Sequence, residues 1–226
     1  EKVYSPGTVI ISAGAEVSDI KKVVSPVVKN KGNMPLYHID FSFDSYKLGG
    51  SAFAQSLGKV GGDVPTVQDA EYFKNAFAAV QEMINKGVVA AGHDISAGGL
   101  LTTLLEMTFA NSNGGLEINL NKIKEKDLVK SLFSENPGVV LQVTSAKEAE
   151  AIMKQYGVQF VKIGRPTKER HIIVTKDGAE YQFGIDYLRD VWYTSSYLLD
   201  RKQSGVECAK ARFNNYKKQP IKWRMP

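Results

Sequence analysis

Val88-Val89-Ala90-Ala91-Gly92-His93-Asp94-Ile95-Ser96-Ala97-Gly98-Gly99-Leu100 is the stretch whose reading decides the fold. Its first four residues form an apolar run of strand length. Leu100, Leu101, Leu104, Leu105, Met107 and Phe109 then recur as in a helix buried over a wide face. A buried strand that turns at once into a buried helix is a unit of layered sheet folds. The turn between them carries the chemistry. Ser96 is placed to cap the helix, and Gly98 and Gly99 leave its first-turn N–H groups uncovered by side chains. Such a helix start is a natural phosphate site. Asp94 is a hard oxygen donor, suited to the Mg²⁺ that accompanies nucleotide phosphates. His93 can donate a hydrogen bond to a phosphate or an acyl oxygen. On spacing alone, the same residues also fit a plain capped turn eased by two glycines.

Working outward, Leu48-Gly49-Gly50-Ser51 is a second glycine-rich loop, ahead of a short helix at 51–57 and inside a long polar stretch, 42–63. Residues 66–87 predict a helix capped by Thr66, with Asp69 three residues later and Gly87 as its left-handed stop. Phe73, Phe77, Val80 and Ile84 form its core stripe. Residues 9–12 are a short β-branched run, 35–41 read as a strand, and 16–24 as a helix ended before Pro26. Downstream, residues 131–136 lead to a strand at 138–143. Ser145 and Glu148 make the capping box of a helix that stops at Gly157. Residues 158–163 form a strand, and 171–175 and 180–183 a hairpin about Asp177-Gly178. Ile185, Leu188, Val191, Trp192, Ser195 and Leu199 mark an amphipathic helix, with a further one at 208–216. Glu106 is expected on a solvent face and Glu135 in an ordinary turn. The fold class is α+β (mixed α/β), a mixed sheet layered with helices.

The 226 residues are 43% hydrophobic and 23% charged, ordinary for a globular chain long enough to bury a large core. No apolar run approaches the ~20 residues of a membrane helix, and the first residues have no secretory pattern. One cysteine, Cys208, excludes an internal disulfide and a cysteine-built zinc site, and points to the cytosol. Lysine plus arginine exceed aspartate plus glutamate by 29 − 24 = +5. The excess gathers at Arg201, Lys202, Lys210, Arg212, Lys217, Lys218, Lys222 and Arg224, against Glu207 alone. No nucleic-acid-binding motif accompanies it, so a solvated end is expected rather than a nucleic-acid surface. Residues 220–226 read as a linker, with Trp223 and Met225 left without an element to pack on, and the first residue is not Met. The expectation is a piece of a longer polypeptide.

His93-Asp94-Ile95-Ser96-Ala97-Gly98-Gly99-Leu100-Leu101 with Leu105-Glu106-Met107-Thr108-Phe109-Ala110 resembles the phosphoribosylformylglycinamidine synthases, the large glutamine-dependent enzymes of purine synthesis. Their pattern is His-Asp-x-Ser-Asp-Gly-Gly-Leu followed by Glu-Met-Ala-Phe-Ala. Leu48-Gly49-Gly50-Ser51-Ala52-Phe53-Ala54-Gln55 is similar to the family's Leu-Gly-Gly-Ser-Ala-Leu-Ala-Gln loop, and Phe133-Ser134-Glu135-Asn136-Pro137-Gly138 to its Phe-Ser-Glu-x-x-Gly turn. The resemblance implies the C-terminal half of an aminoimidazole-ribonucleotide-synthetase-like unit at 1–183, and a helical linker toward a glutaminase domain at 184–226. It implies ATP-dependent amidation of formylglycinamide ribonucleotide with glutamine-derived ammonia. It gives Asp94 to Mg²⁺ and Ser96 to the nucleotide, ATP or ADP; His93, Gly98, Gly99, Gly49, Gly50 and Ser51 are the phosphate-binding neighbours expected from the two glycine-rich loops themselves. Ala97 departs from the pattern, which has a second Asp there.

The resemblance further implies an inactive fragment without its N-terminal synthetase-like half and its glutaminase, one that self-associates most simply as a symmetric dimer. The family has a catalytic and a structural nucleotide site, and the sequence leaves open which one Asp94 serves. Two other readings stand beside it. One is a domain of a related enzyme, of the selenophosphate synthetase, thiamine-phosphate kinase or hydrogenase maturation type. The other is a non-catalytic scaffold whose glycines only shape turns.

Overall fold

The computed structural model describes residues 10–30, 33–216 and 218. The expectations for Val9, the opening residues, Lys217, Lys222, Arg224 and the 220–226 linker lie outside these. Seven strands form one mixed sheet: β1 (Leu36–Asp40), β2 (Val89–Asp94), β3 (Gly115–Asn119), β4 (Gly138–Val143), β5 (Phe160–Thr167), β6 (His171–Lys176) and β7 (Ala179–Gly184). Their order is β2-β4-β1-β5-β3-β6-β7; β3 and β6 run parallel, and the other neighbours are antiparallel. Helices α1 (Ala52–Ser56), α2 (Ala70–Asn85), α3 (Gly99–Phe109), α4 (Leu128–Phe133), α5 (Ala146–Gln155), α6 (Ile185–Ser204) and α7 (Val206–Asn215) complete the fold.

Both faces of the sheet are covered, which is why β4 reads Gly-Val-Val-Leu-Gln-Val with hardly a polar break. Leu36 and Val140 point to one face, into a core shared with Leu100, Leu104, Met107, Leu132 and Ile185 from α3, α4 and α6. Tyr37, Ile39, Leu141 and Val143 point to the other, against Ala76, Met83, Ile152 and Met153 from α2 and α5. Gln142 is the polar exception on β4. Fully buried, it accepts from the Lys29 N–H (2.8 Å) and donates to the Lys29 carbonyl (2.9 Å), fastening the 25–30 segment to the sheet.

Several local expectations are corrected. Of residues 16–24 only a 3-10 turn, Ile20–Lys22, forms, while 10–12 lie in no element. Val17, Ile20 and Val23 have helical spacing but remain exposed, so no burial supports a helix there. Asp69, not Thr66, caps α2, accepting from the Glu71 and Tyr72 N–H groups at 3.0 Å each. The buried face of α2 is Tyr72, Ala76, Ala79, Val80 and Met83, and Phe77 is 52% exposed. Strand β2 is an edge strand in which only Ala91 is fully buried. Strand β3 and helix α4 have no counterpart among the elements expected from the sequence. The hairpin forms as expected, with Asp177 and Gly178 both at positive φ, 50° and 80°, the pair a type I′ turn needs.

Candidate functional site

The end of β2 delivers His93 and Asp94 to the surface, and α3 starts five residues after Asp94. Ser96 does not cap that helix with its side chain. Its carbonyl accepts from the Gly99 N–H at 2.9 Å, and the N-cap is Gly98, at φ 87°. Nor is the start of α3 free of side chains, because the Gly98 N–H donates to Glu135 Oε1 at 2.8 Å. The two glycines are needed by the turn itself. A Cβ on Gly98 would lie 2.2 Å from Thr102 Oγ1. One on Gly99, at φ 67°, would lie 2.7 Å from the Leu132 carbonyl oxygen and 2.8 Å from Phe133 Cα.

The second glycine loop is closed by its own backbone. Gly49 N–H donates to the Asp63 carbonyl (2.8 Å), Gly50 N–H to Val60 (2.6 Å) and Ser51 N–H to Leu48 (3.2 Å). Ser51 is buried and caps α1, accepting from the Ala54 N–H, while its hydroxyl donates to the Leu48 carbonyl at 2.7 Å. The preceding residues are held by acids: Asp44 takes Lys47 Nζ at 2.7 Å and the N–H groups of Ser45 and Thr66. The Lys47 ammonium is the largest reason the Asp44 carboxyl falls to a pKa of about 2.

The two loops meet at the turn after α4. Glu135 Oε1, which accepts from Gly98, also accepts from the Ala52 N–H at 2.7 Å. Ser134 Oγ contacts both the Lys47 N–H (3.0 Å) and the Lys47 carbonyl (2.8 Å). Buried Asn136 donates to Ser42 Oγ and the Ser45 carbonyl, each at 3.0 Å, and pairs closely with Ser134. Phe133 stacks on Phe53, centroids 4.6 Å apart and planes at 20°. Glu135 is therefore no ordinary turn residue. The only sequence signal for it was the Phe-Ser-Glu match, since a single acid in a turn has no periodicity to betray it.

His93 is engaged elsewhere as well. Its Nδ1 lies 2.8 Å from the Asp94 carbonyl oxygen and 3.2 Å from Asp94 Oδ1, and its Nε2 lies 3.2 Å from Glu106 Oε2. Glu106 is thus half-buried and paired, not on a solvent face. The two residues line a groove of about 630 Å³ with Phe109, Arg189, Trp192 and Tyr193. The Asp94 side chain is 71% exposed. Among the described residues no group of three or more His, Cys, Asp or Glu is arranged to hold a metal. The donor set here is one carboxylate, which does not make a resident metal centre. None of the described helices is long and apolar enough to cross a membrane.

The family model described as AIR synthase related protein, C-terminal domain, matches residues 43–177. A probable phosphoribosylformylglycinamidine synthase of Arabidopsis thaliana, named as chloroplastic/mitochondrial, is 39% identical over 214 residues, 92% of this chain and 15% of that protein. The Homo sapiens phosphoribosylformylglycinamidine synthase is 33% identical over 216 residues, 92% of this chain and 16% of its own length. The Dictyostelium discoideum enzyme of that name is 30% identical, over 97% of this chain and 18% of the relative. The chain thus spans less than a fifth of the curated relatives it matches. Among solved structures, phosphoribosylformylglycinamidine synthase II of Thermotoga maritima superposes with a TM-score of 0.58 at 18% identity, covering 75% of this chain and 28% of that one. T. maritima PurL complexed with FGAR superposes with a TM-score of 0.57 at 20% identity, covering 75% and 30%. At these identities the likeness is one of fold.

Proposed function

This chain belongs to the AIR synthase related proteins, by their C-terminal domain, and from that premise we propose that it is a synthetase-like segment of a phosphoribosylformylglycinamidine synthase. The proposed reaction is ATP-dependent amidation of formylglycinamide ribonucleotide with glutamine-derived ammonia. An amide becomes an amidine only if its oxygen leaves, and a phosphoryl group from ATP makes that oxygen a leaving group. A site for this reaction must gather phosphate.

The observation that carries the reading is the convergence of two separate segments, 47–53 and 96–99, on the turn at 133–136, where the Glu135 carboxylate accepts from both. In this reading Gly98, Gly99 and Ser96 present the α3 start to a nucleotide phosphate, with His93 beside them, while Gly49, Gly50 and Ser51 shape the second anchoring loop. Asp94, exposed beside His93, would hold a Mg²⁺ that arrives on the nucleotide, where the ion would offset phosphate charge. T. maritima PurL has been solved with ATP and with ADP, and this supports nucleotide as the ligand class.

The relatives' greater length supports a larger protein around this chain; residues 1–183 are proposed as the synthetase-like domain and 184–226 as the link toward a glutaminase, with the start of α6, at Ile185, still packed in the domain's core. An N-terminal synthetase-like half and that glutaminase are the proposed partners. The exposed Tyr187, Val191, Leu198 and Leu199 on α6 support a partner-facing surface there. By itself the chain is proposed to be folded, inactive and prone to dimerise, with cytoplasm as its location. The test is amidine formation from formylglycinamide ribonucleotide, ATP and glutamine by the full-length protein; its absence would sink the reading, and synthesis by the isolated chain supplied with ammonia would overturn its inactivity alone.

A further inference from the structure

We propose that Glu135 is a positioning residue: its carboxylate fastens the 48–51 glycine loop to the 96–99 glycine loop and so fixes the spacing of the ligand's two anchoring points. The inference rests on the functional reading of those loops.

One oxygen, Oε1, accepts from the Ala52 N–H at the start of α1 and from the Gly98 N–H at the N-cap of α3, at 2.7 and 2.8 Å. Both bonds are charge-assisted, and a carboxylate at helix N-termini also answers their positive dipole ends. The residues around Glu135 are committed to the same two loops. Ser134 grips both backbone groups of Lys47, just before the first loop, and Phe133 stacks on Phe53, just after it. The Leu132 carbonyl oxygen and the Phe133 backbone lie so close to Gly99 that no Cβ fits between them. A turn that only reversed the chain between α4 and β4 would need none of these contacts. Glu135 is the member of the set that touches both loops with one atom, so the carboxylate sets their relation.

The test introduces Glu135→Gln and Glu135→Ala into the full-length protein. It follows amide hydrogen exchange in peptides covering 48–54 and 96–101, and the affinity for MgADP by calorimetry. The alanine variant is expected to exchange roughly tenfold faster or more in both peptides together, as loss of a charge-assisted bond allows. Glutamine keeps an acceptor oxygen and is expected to restore most of the protection, with MgADP affinity following the same order. If the alanine variant does not fold, Glu135→Asp, one methylene shorter, takes its place with the same expectation. Faster exchange in one loop only, or in neither, overturns the proposal, as does a glutamine variant no better than alanine. Tighter MgADP binding without the carboxylate also overturns it, by showing that Glu135 occupies the anion's own place. A wild-type protein that binds no nucleotide counts against the functional reading instead, and the exchange pattern then decides the role of Glu135 by itself.

Discussion

The Thr103 hydroxyl lies 3.1 Å from the carbonyl oxygen of Asp94 and 3.1 Å from that of Gly99, so the second turn of α3 holds the end of β2 in place. The backbone of Asp94 is thereby fixed while its carboxylate stays in solvent, and the two can be altered separately. Asp94→Ala in the full-length protein is expected to leave the melting temperature nearly unchanged. It should weaken MgADP binding by about 1.5–3 kcal/mol, the worth of a charge-assisted contact. Calorimetry gives the affinity, and an unaltered Kd would remove Asp94 from the ligand site.

Gly99 and Gly157 form a matched pair. Both sit at φ 67°, but a Cβ on Gly157 meets nothing within 4 Å, whereas one on Gly99 runs into the backbone of Leu132 and Phe133. Gly157→Ala should therefore cost only the left-handed strain, about 1–2 kcal/mol. Gly99→Ala adds overpacking of roughly 1–3 kcal/mol. Urea unfolding of the two variants measures the difference. Equal losses would mean that the backbone around Gly99 yields easily. The sequence alone makes Gly98 and Gly99 openings for a ligand's approach; the structure adds that the turn at the start of α3 cannot close without them.

His38 sits in the middle of β1, between Val140 of β4 and Val161 of β5, and is only 6% exposed. Burial pushes its pKa down from 6.5 to about 4, against a weaker upward pull from Asp40. The unfolded chain then binds a proton that the folded one refuses. The stability from His38 is complete above about pH 6.5 and drains away as the pH falls toward 4, by about 3 kcal/mol in all. His38→Gln should flatten that part of the stability curve. Denaturant titrations at several pH values give the difference between the two proteins, and identical slopes would refute this account.

Asn136→Ala removes the buried side-chain amide that donates to Ser42 Oγ and the Ser45 carbonyl and that pairs with the Ser134 hydroxyl. A loss of about 1–3 kcal/mol is expected. Exchange should quicken in residues 42–48 before it does in β4. Uniform loss of protection across both would argue that Asn136 supports the whole sheet instead.

What could be read beforehand follows from which residues act locally. The Ser145 cap and Gly157 stop of α5, the Asp177-Gly178 turn and the Leu-rich face of α3 each depend on near neighbours, and each formed as read. Helix α2 was found but rotated. Ala76 and Ala79 pack closely against the sheet, and Phe77 turns outward, which a count of large apolar residues does not foresee. Strand β3 carried a period-two signal in Leu116 and Ile118, and α4 a cap in Asp127, but both are short and were passed over. At the site, the glycine loops were legible by their composition. The acid that joins them was not, because its partners lie far away along the chain.

That separation has a consequence in time. The Glu135 contacts close spans of 37 residues back to Gly98 and 83 back to Ala52. Closing long spans costs chain entropy before any contact rewards it. The junction forms most cheaply after β4 has paired with β1, which already closes a span of 142 − 36 = 106 residues. It is expected to wait until β1, β2 and β4 have found their register, and substitutions at Glu135 should quicken unfolding while leaving the refolding rate almost untouched.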